Sequence, residues 1–396
     1  MKIAVVGCGF AGPASAIFLK QQGYDVTVFE QAPQLGPVGA GLLLQPLGLE
    51  VLERLGCRAE VERLGARVEI LEGWRPSGRR ILHLPYRVLH PDAYGLGIHR
   101  GRLFSILYQR LAALGIPVLT NHLVQGVRNQ GDEAFLDLAE GASAGPYDLV
   151  VVADGARGRL WGMTEGQAER LAHVWGAWWM SLPDPGETFP RTLHQIFDGS
   201  RRLLGILPTG LSADETGPSV SIFWGIRLNE AEAWRENGLR RCRLEMLRLE
   251  PRLASILEHL QSEQQMTLAR YYDAVPRRWW RGRAVVVGDA AHAMSPHLGQ
   301  GANLAFLDAA ALGDALASGR KIPEALSFYQ SRRERHVRTY HGFSRLMTPF
   351  FQSDRKEWAM VRDRIMPLAC GFPPLQRRMV RVVRGEVRSW FDLLRG

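Results

Sequence analysis

Residues 7–12 read Gly7-Cys8-Gly9-Phe10-Ala11-Gly12, between a short apolar run at 2–6 and an apolar helical segment that Pro13 opens. A G-x-G-x-x-G run at such a junction restricts the fold more than any other feature of this chain. The first glycine permits a tight turn, the second lets a pyrophosphate approach the backbone, and the third lets helix pack on strand. The helix N-terminus then presents free N–H groups and a positive dipole end to phosphate. Gly23 can cap that helix, and the alternating run 25–30 reads as a second strand ending in Glu30. A carboxylate there, about 20 residues after the turn, can accept the ribose hydroxyls of an adenosine. Two more apolar strands are predicted at 147–154 and 283–289, ending in Asp154 and Asp289. Ligands of open parallel sheets sit at the carboxyl ends of strands, so these three acids mark one edge.

A different texture separates these pieces. The runs 67–74 and 80–85 flank a turn at 75–78 and read as a hairpin, while Leu103, Ile106, Leu107, Leu111 and Leu114 predict an amphipathic helix closed by Gly115. Short apolar or aromatic strands are predicted at 174–180, 193–197, 203–207 and 219–226, an antiparallel sheet inserted in an α/β frame. After Pro323 the chain reads as helical to its end. With 396 residues, two to three domains are expected at roughly 150 residues each.

Charge excludes some functions. The chain carries a net +9, and residues 331–396 hold 15 basic and 6 acidic residues, so the first 330 balance to zero. A nucleic-acid surface over the body is therefore not expected. No apolar run approaches the ~18 residues of a membrane span, and Gly7 interrupts the N-terminal run too early for a signal peptide, so a cytoplasmic protein is expected. The four cysteines, Cys8, Cys57, Cys242 and Cys370, are far apart with no C-x-x-C, which predicts neither a disulfide framework nor a metal site.

The most specific segment comes late. Gly288-Asp289-Ala290-Ala291-His292 follows a predicted buried strand, Pro296-His297-Leu298-Gly299-Gln300-Gly301-Ala302-Asn303 leads into a helix, and Asp308-Ala309 follows. This pattern resembles that of the group A flavoprotein monooxygenases, the FAD-dependent aromatic hydroxylases of the para-hydroxybenzoate hydroxylase fold. The resemblance implies non-covalent FAD, NAD(P)H as co-substrate, and hydroxylation of an electron-rich aromatic or enol-type small molecule by O2 through a flavin C4a-hydroperoxide. It implies that Asp289 bonds the ribityl chain and that the backbone of 299–303 faces the flavin pyrimidine edge. The physics agrees, because reduced flavin carries negative charge there and a helix N-terminus stabilises an anion.

Other matches are shorter. Asp154-Gly155 resembles the family's D-G motif, linked to FAD and nicotinamide, although Gly158 and Trp161 stand where the family has Ser and Arg; Arg157 and Arg159 are the available substitutes. Arg100 is similar to the family arginine that opens the central helix and reaches FAD phosphate or ribose, and Gly39-Ala40-Gly41 to the glycine loop beside the isoalloxazine. The implied cofactor set is Gly7, Gly9, Gly12, Glu30, Gly41, Arg100, Asp154, Gly155, Asp289, Pro296, Gly299, Gly301, Ala302 and Asn303. No side chain stands out as an essential base. Pro296, His297 and Gly299 are the candidates at the flavin edge, and His292 is expected to pack and hydrogen-bond.

The implied architecture is α/β. A discontinuous Rossmann-type FAD domain (1–72, 98–172, 282–330) carries an inserted antiparallel substrate domain (73–97, 173–281) and C-terminal helices (331–396). Trp175, Trp178, Trp179, Phe197, Phe223 and Trp224 fall on the inserted strands, and some are expected to line an apolar pocket. Two alternatives share the FAD motifs. A reductase of the geranylgeranyl-reductase or quinone-linked type is one. A flavin-dependent halogenase is the other, disfavoured because residues 21–320 contain no lysine. From Leu375 a helix is expected to align Met379, Val382, Val383, Trp390, Phe391 and Leu394 opposite several arginines. It would meet an anionic membrane through 374–396 or pack on the protein itself. Oligomeric state is not legible.

Overall fold

The computed structural model describes residues 1–36, 39–163, 171–212 and 217–393. Strand β1 (Lys2–Val6) is buried at four of its five positions, as a central parallel strand covered on both faces must be. It pairs in parallel with β2 (Asp25–Phe29) on one side and with Leu149–Val152 on the other, and the latter pairs in parallel with Ala284–Val286. The short strands Trp280–Arg281 and Val118–Leu119 complete a six-stranded sheet. Helix α1 (Ala11–Gln21) packs between this sheet and the helix Gly301–Ala317. Each fully buried Ile, Leu or Phe of this core contributes roughly 1.5–3 kcal/mol. The order of strands brings Glu30, Asp154 and Asp289 to one edge of the sheet.

A second sheet has seven strands, in the order Thr267–Asp273, Leu171–Pro183, Pro218–Arg227, Arg202–Leu211, Thr192–Asp198, Ile70–Trp74, Arg80–Pro85. It is antiparallel except where Thr192–Asp198 meets Ile70–Trp74 in parallel. Those two strands come from distant segments, so no hairpin turn dictates their relative direction. The predicted strand 67–74 is divided: Ala66–Val68 joins Gly41–Leu44 and Gly95–His99 in a separate three-stranded sheet, and Ile70–Trp74 begins the hairpin. Helices Leu228–Glu236, Gly238–Leu249 and Ala254–Glu258 cover one face of the large sheet around Trp178, Met180 and Trp224.

The C-terminal region is helical, with Ile322–Phe351, Lys356–Gly371 and Pro373–Val383. The expected single tail helix stops at Val383, because Gly385 turns the chain in a left-handed conformation (φ 88°), and a short turn, Trp390–Leu393, follows. Most of its apolar side packs inward, whereas Phe391 and Leu375 stay exposed. Met379, Val380 and Val383 join Leu82, Leu84 and Tyr86, Val382 and Leu393 meet Tyr340 and Val387, and Trp390 lies 4.3 Å from Phe343. Leu394 lies outside the described residues. Among the described residues, no helix is long and apolar enough to cross a membrane, and no cluster of His, Cys, Asp or Glu is arranged to hold a metal.

Candidate active site

The glycine turn is built as its spacing requires. Gly7 has φ 101°, and a Cβ there would lie 2.4 Å from the Ala153 carbonyl oxygen; one on Gly12 would lie 1.9 Å from the Gly7 oxygen. Gly9 differs, since a Cβ would meet nothing within 4 Å. The turn is thus closed toward the sheet and open toward solvent, where a ligand backbone can approach. Glu30 braces it by accepting the Cys8 N–H at 2.7 Å and the Ala32 N–H at 2.9 Å. Burial, with Glu30 adding to it, pushes the Cys8 thiol up to about 12, so this cysteine is a neutral packing group.

Arg100 opens the helix Arg100–Ala113, and its guanidinium lies 5.2 Å from the centre of the Phe10 ring. Burial lowers its pKa while Asp289 opposes that shift, so the two share one electrostatic environment. Asp289 itself is exposed. Asp154 accepts the Leu160 N–H at 2.9 Å, and Gly155 (φ 77°) faces open space. The glycine that replaces the family serine has a geometric consequence, because a Cβ on Gly158 would fall 1.9 Å from Asp154 Cγ. The side chain of Trp161 lies outside the described residues.

The loop around Pro296–Leu298 turns at Gly299 (φ 63°), which is open, and delivers Gly301 and Ala302 to the first turn of Gly301–Ala317. Asn303 is buried and its side chain is fully engaged. Its oxygen accepts the Gln45 N–H at 2.8 Å, and its nitrogen donates to the carbonyls of Leu43 (3.2 Å) and Gly299 (3.0 Å). Gly41 donates its N–H to Ser221 Oγ at 2.6 Å and faces Thr209. In this structure Asn303 and Gly41 are struts that fix the loops.

Behind the loop lies a buried network. Asp308 accepts from Gly288 N–H (2.9 Å), His292 Nε2 (2.5 Å) and Arg333 Nε (2.7 Å). Burial alone would raise its pKa, but His292 and Arg333 outweigh that and hold it below the usual carboxylate value. Burial and Arg333 push His336 down to about 3, so it is neutral; its Nδ1 accepts from Arg333 and its Nε2 donates to the Gly385 carbonyl. His292 therefore packs and hydrogen-bonds as expected, and Arg333 with His336 ties Asp308 to the C-terminal turn at Gly385.

The large sheet supplies an aromatic wall. Register pairs Trp178 with Trp224 and Trp179 with Phe223. Trp178 and Trp224 enter the helix-covered core, where Trp224 stacks on Trp234 at 5.6 Å. Trp179 and Phe223 (4.8 Å apart) lie on the opposite face, with Phe197 on the same side by register. Phe351 joins Phe197 at 5.2 Å and stacks on His297 at 5.7 Å. His297 is pushed down to about 4 by burial and by His173, with Asp273 opposing, and its Nε2 has no hydrogen-bond partner.

His173 Nε2 lies 3.1 Å and His341 Nε2 4.0 Å from Asp273 Oδ1. Burial would raise the Asp273 carboxyl, but His173, His341 and Arg345 hold it below its ordinary value. Sequence reasoning singled out His297 and missed His173, Asp273 and His341. They come from three separate elements and share no local spacing.

Comparison with known proteins agrees with this geometry. A family model described as FAD binding domain matches residues 1–344. Aurachin C monooxygenase/isomerase of Stigmatella aurantiaca is 26% identical over 371 residues, 92% of this chain and 94% of that protein. The 6-hydroxynicotinate 3-monooxygenase of Bordetella bronchiseptica is 28% identical, covering 78% and 81%. Among solved structures, Klebsiella pneumoniae HpxO with FAD and uric acid superposes with a TM-score of 0.82 at 21% identity over 97% of both chains. A tetrameric 2-methyl-3-hydroxypyridine-5-carboxylic acid oxygenase gives 0.79 at 23% identity over 98% of both. The two sequence relatives are monooxygenases, which disfavours the reductase and halogenase alternatives. The chain belongs to the FAD-binding-domain family and is an FAD-dependent monooxygenase of the aromatic-hydroxylase type.

Proposed function

We propose that this enzyme uses NAD(P)H and O2 to hydroxylate an electron-rich aromatic or enol-type small molecule that carries an ionisable hydroxyl. FAD, when bound, supplies electron transfer from NAD(P)H and the activation of O2. The observation that carries the reading is the convergence of Glu30, Asp154 and Asp289 on one sheet edge, beside glycines 9, 155 and 299 whose missing side chains leave open space. The turn at Gly7, Gly9 and Gly12 holds the pyrophosphate, Glu30 the adenosine ribose, Arg100 a phosphate, and Asp154 with Gly155 the D-G contact. Asp289 holds the ribityl chain, and the N–H groups of residues 299–302 face the pyrimidine edge beside Pro296. Gly41 and Asn303 keep those loops in place.

In this reading the two sheets divide the work, the six-stranded one carrying the cofactor and the seven-stranded one roofing the substrate. Trp179, Phe223, Phe197 and Phe351 exclude water. His297, neutral at pH 7, accepts the substrate hydroxyl hydrogen at Nε2, and the Asp273–His173 pair behind it stabilises the displaced proton.

The test is NAD(P)H oxidation under 18O2 with 3-amino-4-hydroxybenzoate, 6-hydroxynicotinate and a 2-alkyl-4-quinolone as probes. One labelled oxygen atom in a product supports the reading. Flavin reduction without oxygen incorporation into any probe counts against it. Asp273→Asn should retain FAD yet lower product formation on the order of 100-fold.

A further inference from the structure

Most of the apolar side of the tail is turned inward, although Trp390 and Phe391 stay 47% and 71% exposed, and a contiguous exposed apolar stripe lies on the preceding helix, Lys356–Gly371. Val361, Ile365, Leu368 and Phe372 recur at steps of four, three and four, which aligns them on one helix face. They are 37%, 56%, 74% and 59% exposed, Met360 beside them is 53% exposed, and Leu375 extends the stripe into the next helix. Six large apolar side chains in one stretch form a patch, and soluble surfaces seldom keep such patches without a use.

The border of this patch is cationic. Lys356, Arg364 and Arg377 are exposed along it, and Glu357 is the exposed acid on the same helix. Residues 356–383 hold six basic and two acidic residues, and one pair, Arg362 with Asp363 at 2.8 Å, is bonded internally. An apolar stripe edged by cations complements an anionic lipid surface. It fits a second copy of itself less well, because a self-complementary contact would bring two cationic borders together with Glu357 the exposed acid on the helix.

The helix also has an inner side. There Arg362 is buried, and its guanidinium lies 4.7 Å from the centre of the Phe197 ring. The helix therefore carries the exposed stripe on one side and touches Phe197 of the aromatic wall with the other.

We propose that the helix Lys356–Gly371, continued by Phe372 and Leu375, seats this enzyme on an anionic membrane surface. The membrane contact stands independently of the substrate assignment.

The experiment is co-sedimentation of the flavin-loaded protein with phosphatidylcholine vesicles, with and without phosphatidylglycerol. Binding is expected only to the anionic vesicles. It should weaken as salt rises, since the Debye length falls from ~10 Å at 0.1 M to ~3 Å at 1 M. The triple variant Ile365→Ser, Leu368→Ser, Phe372→Ser alters only exposed positions; it should keep its flavin and thermal midpoint and lose binding roughly tenfold or more. The charge reversal Arg364→Glu with Arg377→Glu should lose it likewise. The proposal is overturned if the wild-type protein ignores anionic vesicles or if both variants bind as well as wild type. A stable dimer that the triple variant dissociates, with no vesicle binding, would equally overturn it and assign the patch to self-association.

Discussion

The Asp154 carboxylate fills the space that a side chain on residue 158 would need, with Cγ 1.9 Å from the ideal Cβ position of Gly158. The departure from the family's serine is thus coupled to the way the acid turns back to accept the Leu160 N–H. Gly158→Ser is expected to drive the carboxylate out and break that bond. Stability should fall by about 1–2 kcal/mol, and flavin reduction by NAD(P)H should change in rate. Thermal melts and stopped-flow reduction report the two effects, and an unchanged melting point would refute the coupling.

Glu30 holds two backbone N–H groups and, in the proposed complex, the adenosine ribose. Glu30→Ala should weaken FAD binding by about 1–3 kcal/mol through the loss of charge-assisted hydrogen bonds. Fluorescence titration of apoprotein with FAD measures it. Retained affinity would remove Glu30 from the cofactor site.

Trp224 and Phe223 are neighbours with opposite duties. Trp224 is buried and stacked on Trp234, so Trp224→Ala should cost about 3–5 kcal/mol in stability. Phe223→Ala should leave the melting point much closer to wild type and raise KM for an aromatic probe. Equal destabilisation by both changes would place Phe223 in the core instead.

His336 is buried and His297 half-buried, and both are neutral, with pKa values pushed down to about 3 and about 4. Below the ordinary histidine value of 6.5 the unfolded chain takes up these protons and the folded chain does not. Stability is therefore greatest above pH 6.5 and falls as pH drops, by about 1.4 kcal/mol per pH unit for each group, until its folded pKa is reached. His336→Gln should flatten this loss between pH 6.5 and 4, read as denaturant midpoints across that range. An unaltered slope would show that His336 is protonated in the folded state.

Parts of this molecule are legible in short stretches of sequence. The turn 7–12, its helix and Glu30 lie within thirty consecutive residues, and every requirement there is local: glycine where a Cβ would strike Gly7 or Ala153, an open position at Gly9, and an acid at a strand end. The acidic motif at 288–303 is legible for the same reason. Sequence placed His292, Asp308 and Asn303 in the right neighbourhood, but their partners Arg333, Leu43 and Gln45 lie in other segments.

Tertiary structure decided what local pattern leaves degenerate. Trp178 and Trp179 are adjacent and chemically alike, and the pleat sends them to opposite faces; only their pairing with Trp224 and Phe223 says which face is core. The Asp273 cluster exists because three elements meet, and no spacing within any one of them announces it. The tail shows the same division. A 3.6-residue period in the sequence determines that its helix has an apolar side, whereas which surface covers that side is set by the rest of the fold. Here Tyr86, Leu84 and Tyr340 claim it, and the helix Lys356–Gly371 keeps the apolar face that no other part of the described chain covers.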